Sequence, residues 1–366
     1  MESTTTSDDV ATASTVDTNG PVLSSMTIVF SSKAYVSGRY TVYFTEAALI
    51  IIANILTLMV VKRSKKLRDI PANTFVVSLA CADGMIGVLL PATMMTSMTS
   101  NQAVWITSAC VFRGPYYAMF CISLVTLLAI GVDRCVAVVH PLLYRRRMTT
   151  KIARIASILI WIGQLLIWET FTCYYGSQIS AGKNRPRAAH DMFPRKTFFF
   201  MIQMEILLPI VGNVILYAFI YIRLRRRKVV VSVSARQDAI ETRTKNQLQA
   251  KTKAFTKMMA LVLGYLVIAW LPYYILVPIH KVNEPTTPIW YVYAFDAAAV
   301  LFYSNSFMNP LIYSWQNRDF REAYTKILSC SRLHRSRSTD VNPSECTVSS
   351  VPVCLADGTR NGLSCG

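Results

Sequence analysis

Seven stretches of this chain are too long and too apolar for an ordinary water-soluble fold. They lie at about 41–61, 74–97, 108–133, 154–173, 197–222, 258–280 and 289–315. A bilayer core takes about 20 apolar residues per helix, and several of these windows reach that length with one charge or none. In hydrocarbon the backbone must satisfy its own hydrogen bonds, so each window is predicted to be a helix. A soluble reading would need seven core helices apolar all round. The alternating segments of an outer-membrane barrel are absent from the sequence. The expected fold is an all-α membrane protein, a bundle of seven transmembrane helices.

The formal net charge of +18 raises the question of a nucleic-acid partner. Its placement argues against one. Of the 38 Lys and Arg, 28 fall in four segments: 62–68, 145–154, 223–257 and the stretch after 315. These alternate with gaps holding fewer positive charges, and the positive-inside rule makes them cytoplasmic. With seven spans the N-terminus is then extracellular and the C-terminus cytoplasmic. Clusters such as Arg223–Lys228 are expected to face anionic lipid headgroups and, in part, a protein partner.

Residues 1–40 are Ser/Thr-rich and read as a disordered extracellular tail. The opening lacks a basic and an apolar signal-peptide region, so the first span is expected to serve as the insertion signal. Residues 41–328 form the membrane domain, and 329–366, rich in Ser, Arg, Asn and Pro, read as a disordered cytoplasmic tail. The polar segment between the fifth and sixth spans is expected to extend those helices into the cytosol. No internal repeat is seen in the sequence, so an inverted-repeat transporter is not supported. Cys110 and Cys173 are the only two cysteines that this topology puts outside, where disulfides form. Spacing does not prove a pairing, but a bridge between them would pin the second outer loop over the bundle. Cys81, Cys121 and Cys135 read as small buried residues.

A charge at the bilayer centre costs roughly 2.5–3.5 kcal/mol on insertion scales and is a functional hypothesis by default. Asp83 lies midway along the second span. Asn54 lies in the first, Ser123 in the third, and Asn305, Ser306 and Asn309 in the seventh. Positions 305 and 309 share a face. A carboxylate facing neutral oxygens suits a small hard cation. The other open reading is a protonated, hydrogen-bonded carboxyl, since burial favours the neutral form. Pro91, Pro209, Pro272 and Pro310 interrupt spans, and bends there would supply hinge points.

Together these residues resemble the rhodopsin-like (class A) G-protein-coupled receptors, across roughly 40–330. Asn54 stands at the first-helix Asn. Leu79-Ala80-Cys81-Ala82-Asp83 matches LAxAD, and Asp133-Arg134-Cys135 matches DRY. Trp161 matches the fourth-helix Trp, and Pro209 and Tyr217 the fifth-helix pair. Ala269-Trp270-Leu271-Pro272 matches CWxP, and Asn309-Pro310-Leu311-Ile312-Tyr313 is a full NPxxY. Each match is weak alone; one per helix in the right order is specific.

The resemblance implies roles. Arg134 would pair with Asp133 at rest and turn toward a heterotrimeric G protein on activation, with Tyr217 and Tyr313 holding it there. Trp270 would sit beneath the ligand and pass its arrival to the Pro272 bend. Asp83, Ser123, Asn305, Ser306 and Asn309 match an allosteric sodium pocket, and no cofactor is obligatory. Residues from Gln316 to Arg321 resemble a short amphipathic eighth helix. Cys330 after it is a palmitoylation candidate. Ser336, Ser338, Thr339, Ser344, Thr347, Ser349 and Ser350 are candidate sites for receptor kinases, whose phosphates would attract arrestin. The departures are Cys135 for the DRY tyrosine, Ala269 for the CWxP cysteine, Cys110 one residue nearer the Arg than usual, and no Pro near the outer end of the fourth helix.

The ligand is less legible. Opsins carry a retinal-binding Lys six residues before the NPxxY Asn, where this chain has Tyr303, so no retinal is expected. Aminergic receptors carry an Asp 18 residues before the motif Arg, where this chain has Tyr116. The expected pocket is aromatic: Tyr116, Tyr117, Phe120, Trp270, Tyr273, Tyr274 and Tyr303. That suits a small organic ligand. Glu205, one turn before Pro209, would be either an ionised partner for a cationic or multi-donor ligand or a protonated acid bonded to a neighbour. The competing functions are a peptide-binding or constitutively active receptor of the same fold, and more distantly a transporter or channel. No nucleophile–base pair or metal-ligand spacing suggests an enzyme.

Overall fold

The computed structural model describes residues 33–97, 101–180, 203–231, 239–277 and 288–339, together with residues 197, 200 and 201. The order is α1 Lys33–Arg63, α2 Lys65–Arg68, α3 Pro71–Ser97, α4 Gln102–Ser108, a π-helical turn Ala109–Arg113 and α5 Gly114–Val139. It continues with α6 Pro141–Arg147, α7 Thr150–Ser180, a second π turn Gln203–Leu207 and α8 Leu208–Val231. The chain then forms α9 Ala239–Leu276, α10 Ile289–Gln316 and α11 Arg318–Thr339. The expected spans are α1, α3, α5, α7, α8, α9 and α10.

Six helical segments among the described residues are long and apolar enough to cross a membrane. The seventh, α10, has 28 residues, about 42 Å at 1.5 Å per residue. Asp296, Asn305, Ser306 and Asn309 lower its apolarity without shortening it. The lipid-facing surface is legible on α7, where Ile155, Ile158, Leu159, Ile162 and Leu166 are all exposed.

The bundle turns around α5, which packs against α3, α7, α8 and α9. Helix α1 packs on α3 and α10, and α9 on α10. Polar side chains tie these contacts. Asn54 Nδ2 donates to the Ile50 carbonyl at 2.9 Å and to the Ser306 carbonyl of α10 at 3.0 Å. Trp161 Nε1 of α7 donates to Ser78 Oγ of α3 at 2.9 Å. Close approach needs small residues as well. A Cβ on Gly87 would fall 2.9 Å from the Ala47 carbonyl of α1, whereas one on Gly84 would meet only Asn54 Cβ at 3.6 Å.

The described residues to Tyr324 form one compact unit and those from Thr325 a second. Helix α11 begins in the first unit. Asn317 Oδ1 accepts from the Asp319 backbone N–H at 2.9 Å, and Lys66 Nζ reaches Asp319 at 2.6 Å. Phe320 is fully buried 5.7 Å from the Tyr313 ring. The helix continues to Thr339, beyond the point near 328 where the tail was expected to begin. Residues 1–32 and 340–366 lie outside the described residues, and with them most of both predicted tails and the sites Ser344, Thr347, Ser349 and Ser350. The side chains of Cys330, Ser336, Ser338 and Thr339 lie outside as well. Residues 232–238 of the polar segment are also undescribed, but α8 and α9 extend into it from both sides.

Overpacking a tight helix crossing costs about 1–3 kcal/mol. Gly87→Ala is therefore expected to lower the melting temperature of the purified protein by several degrees, and Gly84→Ala to leave it near the original value. A thermal-shift measurement on both variants checks this.

Candidate functional site

One aromatic cluster lies between α5, α9 and α10. Tyr116 OH of α5 donates to Tyr303 OH of α10 at 2.9 Å, and both rings are buried. Phe120, one turn along α5, meets Tyr116 edge-on at 5.0 Å and Trp270 edge-on at 6.1 Å. At the centre sits Phe302. Its ring centroid is 4.7 Å from Phe120, 4.6 Å from Trp270, 4.6 Å from Tyr273 and 5.2 Å from Tyr303. Tyr43 of α1 closes one side, edge-on to Tyr303 at 5.6 Å. The structure thus brings together Tyr116, Phe120, Trp270, Tyr273 and Tyr303. Tyr117 touches Tyr116 but stacks on Trp168 of α7 at 5.0 Å, which turns it to the margin. Tyr274 is half-buried and joins none of these ring contacts.

Glu205 occupies the π turn ahead of Pro209, which is the second residue of α8. Such turns are frequent at functional sites. Its carboxylate acts electrostatically on the Cys121 thiol of α5, which in turn accepts from Trp168 Nε1 at 3.2 Å. Among the described residues Glu205 has no hydrogen-bond partner. It approaches α5 one residue beyond Phe120, away from the Tyr116–Tyr303 pair.

Further along the bundle Asp83 is fully buried, and Asn309 Nδ2 donates to its Oδ2 at 2.9 Å. Ser123 and Ser306 lie beside the same carboxyl. Asp83 Oδ1, Ser123 Oγ, Asn305 Oδ1 and Asn54 Oδ1 are buried without a protein partner. Acceptor oxygens with unused lone pairs suit a hard cation, and the structure brings Ser123, Ser306 and Asn309 to the Asp83 carboxyl.

At the far end of α5, Arg134 Nε donates to Asp133 Oδ2 at 2.8 Å and its Nη2 closes on the same oxygen. Tyr144 of α6 completes the arrangement. Its OH accepts from Arg134 Nη2 at 2.8 Å and donates to Asp133 Oδ1 at 3.0 Å. Burial, chiefly, pushes the Tyr144 hydroxyl up to about 12, so it stays protonated and able to donate at physiological pH. The sequence reading missed this residue. It stands 11 positions after Asp133, beside the basic residues of α6. Tyr217 is buried near the pair and acts on it only through space. Tyr313 is buried with no hydrogen bond to its hydroxyl among the described residues. Pro272 and Pro310 lie inside α9 and α10.

At the opposite end, Cys110 sits in the first π turn and Cys173 inside α7, which continues to Ser180 instead of ending near 173. The two side chains lie within hydrogen-bonding reach of one another. On two other helices, Asp296 of α10 is held by three groups of α1. Arg39 Nε is 3.3 Å from Asp296 Oδ1, Tyr43 OH donates at 3.4 Å, and Tyr35 OH donates to the other oxygen.

The 7 transmembrane receptor (rhodopsin family) model matches residues 53–313. The chain belongs to this family. It is 28% identical to mouse (Mus musculus) trace amine-associated receptor 7d, over 82% of this chain and 84% of that one. It is 27% identical to human (Homo sapiens) trace amine-associated receptor 9, over 82% and 87%, and 28% identical to rat (Rattus norvegicus) receptor 8a, over 82% and 88%. This rhodopsin-family chain is thus a G-protein-coupled receptor in the plasma membrane, crossing it several times, and not an enzyme. Its partners are G proteins and a small ligand. Tyr303 has no amine for a retinal Schiff base.

A buried ion pair that loses one member leaves the other charge uncompensated. Asp133→Asn is expected to free Arg134 and raise ligand-free second-messenger output several-fold. Tyr144→Phe, which removes one hydroxyl from the same network, should give a smaller rise in that assay.

Proposed function

We propose that this receptor responds to a small organic ligand carrying a cationic group, seated against the aromatic cluster with Glu205 as its counter-ion. The observation that carries this is the Glu205 carboxylate. It sits on a π turn beside α5 with no hydrogen-bond partner among the described residues, and no neighbour claims it as a protonated donor. The trace amine-associated relatives are named for amines, and a chain with Tyr116 needs its carboxylate elsewhere. Aromatic faces add cation–π attraction, worth about 0.5–2 kcal/mol.

In this reading the end bearing Arg134 faces the cytosol, as the basic loops require, and the Cys110 end faces outward, where a Cys110–Cys173 disulfide forms. Agonist and G protein prefer the same open form, so each raises the affinity for the other. Trp270 and the Pro272 bend link the two ends, and Tyr217 and Tyr313 receive Arg134 when it leaves Asp133. Asp83, Ser123, Asn305, Ser306 and Asn309 hold sodium, which favours the resting form. Cys330 carries a palmitoyl anchor, basic loops meet anionic lipid, and the phosphorylated tail recruits arrestin after receptor kinases act.

A second-messenger screen of cells expressing the receptor against an amine-rich library is the test, with an Arg134 variant as the silent control. Glu205→Gln should weaken a cationic agonist by about 30-fold or more, in keeping with the 2–5 kcal/mol lost when one partner of a buried charge pair is removed. An unchanged dose–response curve would sink the counter-ion assignment. Asp83→Asn should abolish the sodium dependence of agonist affinity, read by radioligand binding in sodium against a large organic cation.

A further inference from the structure

Phe302 has a role that neither the motifs nor the proposed ligand contacts assign. In α10 it lies directly before Tyr303, yet the two rings are separated in function. Tyr303 is committed to Tyr116 through its hydroxyl. Phe302 has no polar group and occupies the middle of the cluster, with four rings around it at 4.6–5.2 Å. It meets the Trp270 indole closer than Phe120 does, at 4.6 Å against 6.1 Å. It is also parallel to Tyr273, at an interplanar angle of 22°, so α9 is held to α10 on both sides of the Pro272 turn. Only 6% of Phe302 is exposed.

The same structure has Arg134 locked to Asp133 and Tyr144, which is the resting arrangement. We infer that Phe302 is a built-in aromatic occupant of the ligand chamber, pressing on Trp270 where a ligand's ring would, and that it holds the receptor at rest. The inference rests on reading Trp270 as the relay between chamber and inner face. Side chains packed ring against ring do not compress; they move as units or stay. A ligand that enters this chamber must therefore lift Phe302 from Trp270 or settle above it against Tyr116. Phe302 thus sets both the resting signal and the depth to which a ligand reaches. Without it, Trp270 and Tyr273 lose their common neighbour, α9 loses its tie to α10 at the bend, and the open form becomes easier to reach. The vacated space is lined by aromatic carbons, and an apolar cavity of that kind takes a benzene-sized guest.

The test is ligand-free second-messenger output from cells expressing the full-length receptor at matched surface density. Phe302→Ala is expected to raise it several-fold over the unmodified receptor. Phe302→Leu, which keeps bulk but not the ring, should give a smaller rise and serves as the readout if the alanine variant fails to reach the surface. Toluene should return the alanine variant toward the resting level in a saturable way, and methylcyclohexane should do so less well. Asp133→Asn runs alongside as the positive control. Elevated output from Asp133→Asn with unmodified output from Phe302→Ala and Phe302→Leu would overturn the inference and leave the receptor switch standing. Resting output from all three variants would overturn both. An equal fall in the unmodified receptor with toluene would show a bulk membrane effect and count against the cavity.

Discussion

Inside hydrocarbon a polar group has no water to fall back on, and the side-chain bonds that tie these helices together follow from that constraint. Asn54 spends its amide on carbonyls of α1 and α10, Trp161 its indole N–H on α3, and Asn309 its amide on Asp83. These bonds fix which helices are neighbours. Several buried polar atoms keep no protein partner among the described residues, among them Asp83 Oδ1, Ser123 Oγ, Asn305 Oδ1, Trp270 Nε1 and Tyr313 OH. They run along α3, α5, α9 and α10, between the aromatic cluster and the Arg134 end. A bundle that satisfied all of them within one conformation would have less reason to adopt a second. Unspent polar capacity in the core is where an ion or a rearranged side chain gains most.

Helix α10 is the element that both ends share. Phe302 and Tyr303 contribute to the aromatic cluster, Ser306 and Asn309 to the Asp83 site, and Tyr313 packs on Phe320 at the start of α11. These lie within three turns, and Pro310 interrupts the hydrogen-bond ladder among them. Strain at Phe302 therefore has a short covalent route to Tyr313. In the proposed reading a second route runs through Trp270 and Pro272 of α9. A two-state device suits such an arrangement, because each ligand then needs only a differential affinity for one state.

The most legible features in the sequence were polar residues standing in apolar runs. Asp83, Asn54 and Asn309 are conspicuous there because each costs free energy on insertion, and the structure pairs Asp83 with Asn309 and Asn54 with α10. Asp133 and Arg134 were legible because they are adjacent. Phe302 gave no such contrast: an aromatic residue in an apolar helix looks like packing, and only three-dimensional proximity shows that it fills the cluster. Tyr144 was hidden differently. The reading of Cys135 as a missing tyrosine looked only within the tripeptide, while a tyrosine 11 residues on reaches the same Asp–Arg pair from α6. Helix ends were misjudged for another reason. Apolarity marks where lipid ends, but α7 continues to Ser180 because its backbone bonds continue.

The position of Tyr116 bears on how such a receptor distinguishes its ligand. A carboxylate at that site would sit among Tyr303, Phe120 and Tyr43 and draw a cation to the centre of the bundle. Tyrosine keeps the cross-helix bond to Tyr303 but removes the charge, so the centre holds neutral rings and the acids lie around it. Those acids are not equivalent. Asp296 is already engaged by Arg39, Tyr35 and Tyr43. Glu46 is buried on α1, with one oxygen unpartnered. Glu205 stands on a widened turn of backbone next to α5, where a small rotation of the turn moves the carboxylate relative to Cys121 and Phe120. In the proposed reading, a ligand charge held there pulls on the α5–α8 junction. That junction leads, through the close approach of Gly131 to Asn213 and Tyr217, toward the residues surrounding Arg134.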